Sequence, residues 1–215
     1  SSKQNSMQID ISEFEEGARQ AKGLAVIIDV FRAFSVECYA IDSGASRIIA
    51  TGTPEEAFRL REIYPGSLLA GERHERKIPG FNFGNSPTEI IKSDLSGLTL
   101  IHTTTAGTAG LVNAVNADLI ITGSLVNASA VARFITERKP DRVSLVAMGY
   151  RATVPAEEDI LCAEYIKSLV EGRNEFFDDR IAELRHTAGK RFFAPENIDF
   201  SPPTDFFLCT MKDRF

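Results

Sequence analysis

Short apolar runs rich in β-branched residues recur along the chain, separated by stretches whose apolar positions return at helical spacing. The runs Leu24 to Ile28, Arg47 to Ala50, Ser67 to Ala70, Leu98 to Ile101, Leu119 to Thr122 and Arg142 to Ala147 predict buried strands. Between and after them the pattern predicts helices over Phe34 to Asp42, Pro54 to Ile63, Thr88 to Lys92, Thr108 to Val115, Ala128 to Arg138, Ala156 to Val170 and Asp178 to Thr187. Thr53, Pro54, Glu55 and Glu56 supply the cap, the first-turn proline and the acids that favour a helix start. Strands alternating with helices imply an α/β fold with a largely parallel sheet. The segment from Ala194 to Phe215, rich in proline and phenylalanine, is expected to return over the core as irregular chain or an edge strand.

The pattern also repeats. LAVIIDVFRAFS followed by SGASRIIATGTPEEAFRL resembles LTLIHTTTAGTAG followed by NADLIITGSLVNASAVARF. This pairs Asp29 with Thr103, Ala33 with Gly107 and, after a short gap, Gly52 with Gly123. Two similar βαβ halves would explain it, as would the general likeness of any two such units. On either account, two polar turns follow comparable strands. Ligands of open α/β sheets bind outside the carboxyl ends of strands, where helix N-termini point inward, so the chemistry is sought there.

A hydrophobic fraction of 43% over 215 residues is enough for one compact domain, with residues 1–6 read as a flexible N-terminal end or an appended remnant. The formal net charge of −6 provides no general basic field, so neither nucleic acid nor an anionic membrane is expected as a partner. An anionic ligand must instead meet local positive charge. Cys38, Cys162 and Cys209 form no CxxC pair, which suits a reducing cytoplasm. The apolar runs are far shorter than the roughly 20 residues of a membrane-spanning helix. A homo-oligomer is left open.

Four clusters can carry chemistry. In IIDVFRAFS, Asp29 ends an apolar strand and Arg32 and Ser35 follow at the turn into a helix. Asp29 can cap that helix, or serve as a magnesium ligand or base, while Arg32 can pair with an acid or hold an oxyanion. GERHERKIPGFNFGNSP, Gly71 to Pro87, is a long loop anchored by Ile78, Phe81 and Phe83. In it Glu72 is a candidate metal ligand, Arg73, His74, Arg76 and Lys77 can neutralise an anion, and Asn85 and Ser86 can contact substrate. HTTTAGTAG offers the hydroxyls and amides of Thr104, Thr105, Gly107 and Thr108, and GSLVNAS offers Ser124 and Asn127, to an oxyanion or to helix capping. Neither GxxxxGK[ST] nor GxGxxG occurs, which argues against a nucleotide P-loop and a dinucleotide fingerprint. In MGYRATVPAEEDILCAEYI, Glu157 reads as a dipole-favoured first-turn acid, whereas Glu158 and Asp159 are candidates for metal or catalysis. The histidines His74, His102 and His186 are scattered, so no zinc set is expected.

Together DVFRAFS, GER with KIPGFNFGNSP, TTTAGTAG and the EEDILCAEYI helix resemble the 2-phosphosulfolactate phosphatase family. The resemblance implies a three-layer α/β/α fold and Mg²⁺-dependent hydrolysis of a phosphate ester on a small acidic metabolite. On that reading Asp29, Glu72 and Asp159 hold Mg²⁺, Arg32 and Arg73 clamp oxyanions, and Glu158 orients or deprotonates water. A phosphoaspartate at Asp29 is the alternative to direct water attack, and a non-catalytic binder of a phosphorylated metabolite is the alternative to an enzyme. The family pattern TTNGTRA stands here as TTAGTAG, so Ala106 and Ala109 replace an amide and a guanidinium. That difference bears on the exact substrate.

Overall fold

The computed structural model describes residues 6–215, so the predicted N-terminal end lies almost wholly outside the described residues. In chain order the strands are β1 (Gln8–Glu13), β2 (Leu24–Ile28), β3 (Arg47–Ala50), β4 (Leu68–Arg73), β5 (Arg76–Lys77), β6 (Thr99–Thr103), β7 (Leu119–Gly123) and β8 (Arg142–Ala147). The helices are α1 (Phe14–Gln20), α2 (Ala33–Asp42), α3 (Pro54–Ile63), α4 (Pro87–Ile91), α5 (Gly107–Asn113), α6 (Ala128–Arg138), α7 (Glu157–Val170), α8 (Asp178–Glu183) and α9 (Pro203–Cys209). The fold is α/β with helices on both sheet faces. Its parallel strands form two four-stranded sheets, ordered β1-β8-β2-β7 and β3-β6-β4-β5. Among the described residues only the hairpin strand β5 runs antiparallel.

Every residue of β2 is buried because both faces of its sheet are covered, which is why it reads as an unbroken apolar run. Leu24, Val26 and Ile28 pack towards α6, α7 and the C-terminal segment, while Ala25 and Ile27 pack with Ala18, Ala33, Phe34 and Ala114 on the other side. In the second sheet, Leu100 joins the core beneath α2 and α4, and Ile101 joins the one beneath α3. Thr53 accepts the Glu56 amide at 3.1 Å with Pro54 at the first helical position, as the sequence pattern requires.

The two repeated units exchange strands. The first unit contributes β2 to one sheet and β3 to the other, while the second contributes β6 beside β3 and β7 beside β2. Adding the neighbours β8 and β4 gives two matching parallel triples, β8-β2-β7 and β4-β6-β3. The helices that begin just beyond β2 and β6 meet where the triples face each other. A Cβ built on Gly107 would stand 2.7 Å from the Ala33 Cβ and 2.8 Å from Asp29 Oδ2. Ala33 and Gly107, which the repeat pairs in sequence, therefore touch in space.

Two expectations are corrected. The N-terminal segment adds β1 and α1, which the apolar pattern did not predict because QIDISE is half polar and lies on a sheet edge. The C-terminal segment forms no edge strand. It carries helix α9, whose Phe206 and Cys209 are buried against the first core.

Gly107→Ala should lower unfolding free energy by about 1–3 kcal/mol, because Ala33 and Asp29 leave no room for a methyl group. Chemical denaturation measures it; a loss below about 0.5 kcal/mol would show that the two helix starts can move apart.

Candidate active site

The carboxyl ends of β2 and β8 from one sheet, and of β4 and β6 from the other, converge on a cavity of about 120 Å³. Asp29, Phe31 and Arg32 line it from the β2–α2 turn, Glu72 to Glu75 from the β4–β5 hairpin, and Thr105 and Ala106 from the β6–α5 turn. Asn85, Gly149, Tyr150, Arg151 and Arg191 complete the wall. The size suits a small metabolite. Of the residues proposed from sequence, Asp29, Arg32, Glu72, Arg73, His74, Asn85 and Thr105 border this space.

Two buried acids hold the loops in place. Asp159, at the start of α7, accepts the Val30 amide at 2.9 Å on one oxygen and the Gly149 amide at 3.0 Å on the other. Glu72 accepts the Thr105 amide at 2.7 Å on one oxygen, and the Glu75 amide and Thr105 hydroxyl, each at 3.1 Å, on the other. Each acid ties the loop after its triple's middle strand, β2 or β6, to the loop after the neighbouring strand, β8 or β4. The two pins play corresponding parts in the two triples, although the acids come from different places, Glu72 from the end of β4 and Asp159 from the start of α7. The loops they secure carry consecutive left-handed residues that are not glycine, His74 and Glu75 (φ 54° and 69°) and Arg151 and Ala152 (φ 54° and 59°). Such backbone costs on the order of 1–3 kcal/mol per residue and persists only where its surroundings impose it.

Asp29 and Glu158 have fewer partners. The Asp29 carboxyl is pushed up to about 7, first by burial and then by the negative charges of Glu158 and Glu72; the Ala33 amide and His102 partly oppose this. Glu158 is raised chiefly by burial and eased by Arg191. Its Oε2 is buried without a hydrogen-bond partner among the described residues. Asp159 is driven well above the carboxylate range by burial, then by Glu158 and Asp29. These side chains thus share one pool of negative potential. As placed, however, Asp29, Glu72 and Asp159 do not form a three-ligand metal set: no group of three or more His, Cys, Asp or Glu among the described residues is so arranged. The reason is visible for Glu72 and Asp159, whose carboxylates are directed at backbone amides.

The arginines divide in the same way. Arg32 is 3% exposed and donates to Asp205 Oδ2 at 2.9 Å and to the Phe200 carbonyl at 2.6 Å. Asp205 also accepts from the Ser86 hydroxyl and from the Thr88 amide and hydroxyl. Arg32 therefore fastens the C-terminal segment to the site, and its charge is matched. Arg73 donates to the carbonyls of Glu72 and Gly52 and to the Thr103 hydroxyl, with no carboxylate partner among the described residues. Its positive charge is left for a ligand. Arg191 lies over the rings of Phe31, Tyr150 and Phe192. Its Nε is 3.2 Å from Glu75 Oε1 but misaligned for a hydrogen bond, and the Tyr150 hydroxyl donates to the same oxygen at 2.9 Å.

Several proposed substrate contacts lie behind the wall instead, with their polar groups used locally. Ser35 donates to the Val30 carbonyl and shares a hydrogen bond with Ser124, both at 2.7 Å. Ser124 and Asn127 form a capping box. Thr104 and Thr108 bind each other's backbone, Ser86 caps α4, and Gly107 provides the close approach described above. The small polar residues that bind anions are also the ones that cap helices, and here capping accounts for them. The sequence pattern missed Glu75 and Tyr150, which lie inside quoted strand-end clusters without being singled out, Arg191 and Asp205, which stand in no strand-end motif, and His102, which lies inside an apolar strand.

The sequence profile of the family described as 2-phosphosulpholactate phosphatase matches residues 10–191. A protein of Carboxydothermus hydrogenoformans named "Probable 2-phosphosulfolactate phosphatase" is 39% identical over 165 residues, covering 76% of this chain and 68% of its own. One of the same name from Thermotoga maritima is 36% identical over 206 residues, covering 89% and 86%. A Bacillus subtilis protein, again so named, is 34% identical over 151 residues, covering 69% and 64%.

The raised Asp29 carboxyl has a consequence for stability. Its folded-state value lies above the ordinary 3.8, so ionising it penalises the folded state. The penalty is absent below about pH 4, grows as pH rises and is complete above about pH 7. In metal-free buffer Asp29→Asn should match the parent at pH 4 and exceed it by on the order of 2–4 kcal/mol at pH 8. Equal denaturation midpoints at both pH values would show that Asp29 is not electrostatically strained.

Proposed function

The chain belongs to the 2-phosphosulfolactate phosphatase family, and we propose that it hydrolyses the phosphate monoester of a small acidic metabolite with the help of Mg²⁺. The observation that carries this reading is the pairing, in one small cavity, of the unmatched Arg73 guanidinium with the strained Asp29 carboxyl. Phosphoryl transfer needs charge neutralisation and a group that handles the nucleophile's proton. A cation is supported by the buried, unpartnered Glu158 Oε2 beside the charge of Asp29. Asp29 and Glu158 would hold it, and two carboxylates are enough for Mg²⁺, which keeps waters and takes substrate oxygens. When bound, the cation supplies positive charge to the phosphoryl oxygens.

The remaining roles fall to the chain's own groups. Arg73 and Arg191 bind the oxyanion, with Arg73 suited to the phosphate because its charge has no other partner. With Asp29 and Glu158 turned to the cation, a carboxylate oxygen they leave free would accept the proton of the attacking water, and the phosphorus–oxygen bond to the alcohol breaks as the leaving alkoxide takes up a proton from solvent. Asn85 orients the ester from the opposite sheet, and Thr105, whose amide and hydroxyl both donate to Glu72, forms the wall beside it. Glu72 and Asp159 keep the loops fixed while charge moves, so the donors need not reorganise. Arg32 contributes through the docking of the C-terminal segment.

Substrate detail follows the altered turn. Ala106 lines the cavity and Ala109 does not, so this stretch of wall offers a methyl group where the family pattern has an amide. We expect a phosphorylated hydroxy acid to be used more readily than a substrate needing an extra donor there. The product of a sulfonated ester would be sulfolactate.

The test is phosphate release from 2-phosphosulfolactate and unsulfonated phosphorylated hydroxy acids. Turnover should vanish after exhaustive EDTA treatment and return with Mg²⁺, and Arg73→Ala should lower kcat/KM by about a hundredfold, roughly 2.7 kcal/mol. Release that survives verified removal of metal would eliminate the cation. No release from any ester with Mg²⁺ present would overturn the phosphatase reading.

A further inference from the structure

His102 lies within β6, fully buried, with Ala50 and Ala70 opposite it on the flanking strands. Its Nδ1 is 2.7 Å from Glu37 Oε2, and its Nε2 is 3.0 Å from Asn85 Oδ1. Asn85 lines the cavity. A buried chain therefore leads from Glu37 on α2, through the second sheet, to the ligand-facing surface. A satisfied core histidine would need partners but would have no reason to end at the cavity. Three apolar side chains would also fill this interior without the cost of desolvating a carboxylate and an imidazole.

The direction of the hydrogen bonds gives the chain its consequence. The Asn85 carbonyl oxygen only accepts, so Nε2 carries the proton of that hydrogen bond, and Nδ1 is held by the Glu37 carboxyl on the other side of the ring. The Asn85 carbonyl is used inward, which leaves the amide nitrogen, a donor only, for the cavity. Were the chain broken at Glu37 or His102, the Asn85 amide could turn over and present its oxygen, which would repel an anion.

We propose that His102, held by Glu37, is a positioning residue that locks the Asn85 side chain with Nδ2 turned towards the cavity as a hydrogen-bond donor to an oxyanion of the ligand. The ligand class is a phosphate or phosphate monoester, and this rests on the proposed function of the same cavity.

The experiment measures binding of inorganic phosphate by calorimetry, and KM and kcat for a phosphomonoester, in Glu37→Gln, His102→Gln and Asn85→Asp. Thermal denaturation is followed alongside. Each variant should weaken phosphate binding and raise KM by about tenfold or more, with a smaller change in kcat. His102→Gln combined with Asn85→Asp should be no worse than Asn85→Asp alone. If His102→Gln does not fold, Glu37→Gln decides, because it leaves the ring in place. Folded Glu37→Gln that binds phosphate and turns over like the parent would overturn the proposal, as would variants whose only change is a lower denaturation midpoint. A parent that binds phosphate but hydrolyses no ester would remove the phosphatase reading and leave this proposal standing. A parent that binds no phosphate would overturn this proposal directly.

Discussion

Like charges buried at close quarters are the constraint around which this molecule is built. Asp29, Glu72, Glu158 and Asp159 are all at most 9% exposed and are gathered at strand ends. Burial alone opposes the ionisation of Asp29, Glu158 and Asp159, and repulsion between neighbouring acids adds to it. The structure resolves part of the conflict with backbone amides, which satisfy both oxygens of Glu72 and of Asp159. It resolves another part with Arg191 near Glu158. What is left unresolved falls on Asp29, on one oxygen of Glu158 and on Asp159, whose carboxyl stays well above its ordinary range despite its two amides. Asp29 and the free Glu158 oxygen are where a cation and a phosphoryl group would settle.

The exchange of strands between repeated units explains how the charges come together. Each unit ends a central strand at the same point, one in Asp29 and the other in Thr103, and the helices beyond them meet through Ala33 and Gly107. Each triple then supplies its own acid pin and its own left-handed loop. The approximate two-fold relation covers the framework, but the chemistry on it is unequal. One half offers Asp29 with Glu158, whereas the other offers Arg73 and the Asn85 amide. One side is negative and the other donates hydrogen bonds, as a metal-bound anionic ester would require.

Much of this was legible in the sequence, for physical reasons that differ between elements. Strands β2, β3 and β8 could be read to their ends because burial on both faces, or a turn signal beside them, leaves no ambiguity. Asp29 stood out because an acid at the end of a wholly apolar strand is costly unless it is used. Strand β1 and helix α9 were not legible: the first is a half-polar edge, and the second folds only because Asp205 and Phe206 dock on Arg32 and the core. The same holds for Arg32, whose guanidinium looked free until a partner 173 positions away supplied its counterion. Arg191 and His102 were invisible because their importance comes from tertiary neighbours alone. Conversely, Ser35, Ser124, Asn127 and Thr108 carried chemistry suited to a ligand and are spent on the backbone.

The most direct test of the central claim, that the unrelieved carboxylate charge is a poised cation site, needs no substrate. Thermal denaturation at pH 8 is followed as Mg²⁺ is titrated into the metal-free parent protein and into Asp29→Asn. The account predicts that the midpoint of the parent rises with Mg²⁺ in a saturable way, by mass action on the folded state, while that of Asp29→Asn starts higher and stays flat. A parent midpoint indifferent to Mg²⁺, or an identical rise in both proteins, would contradict it.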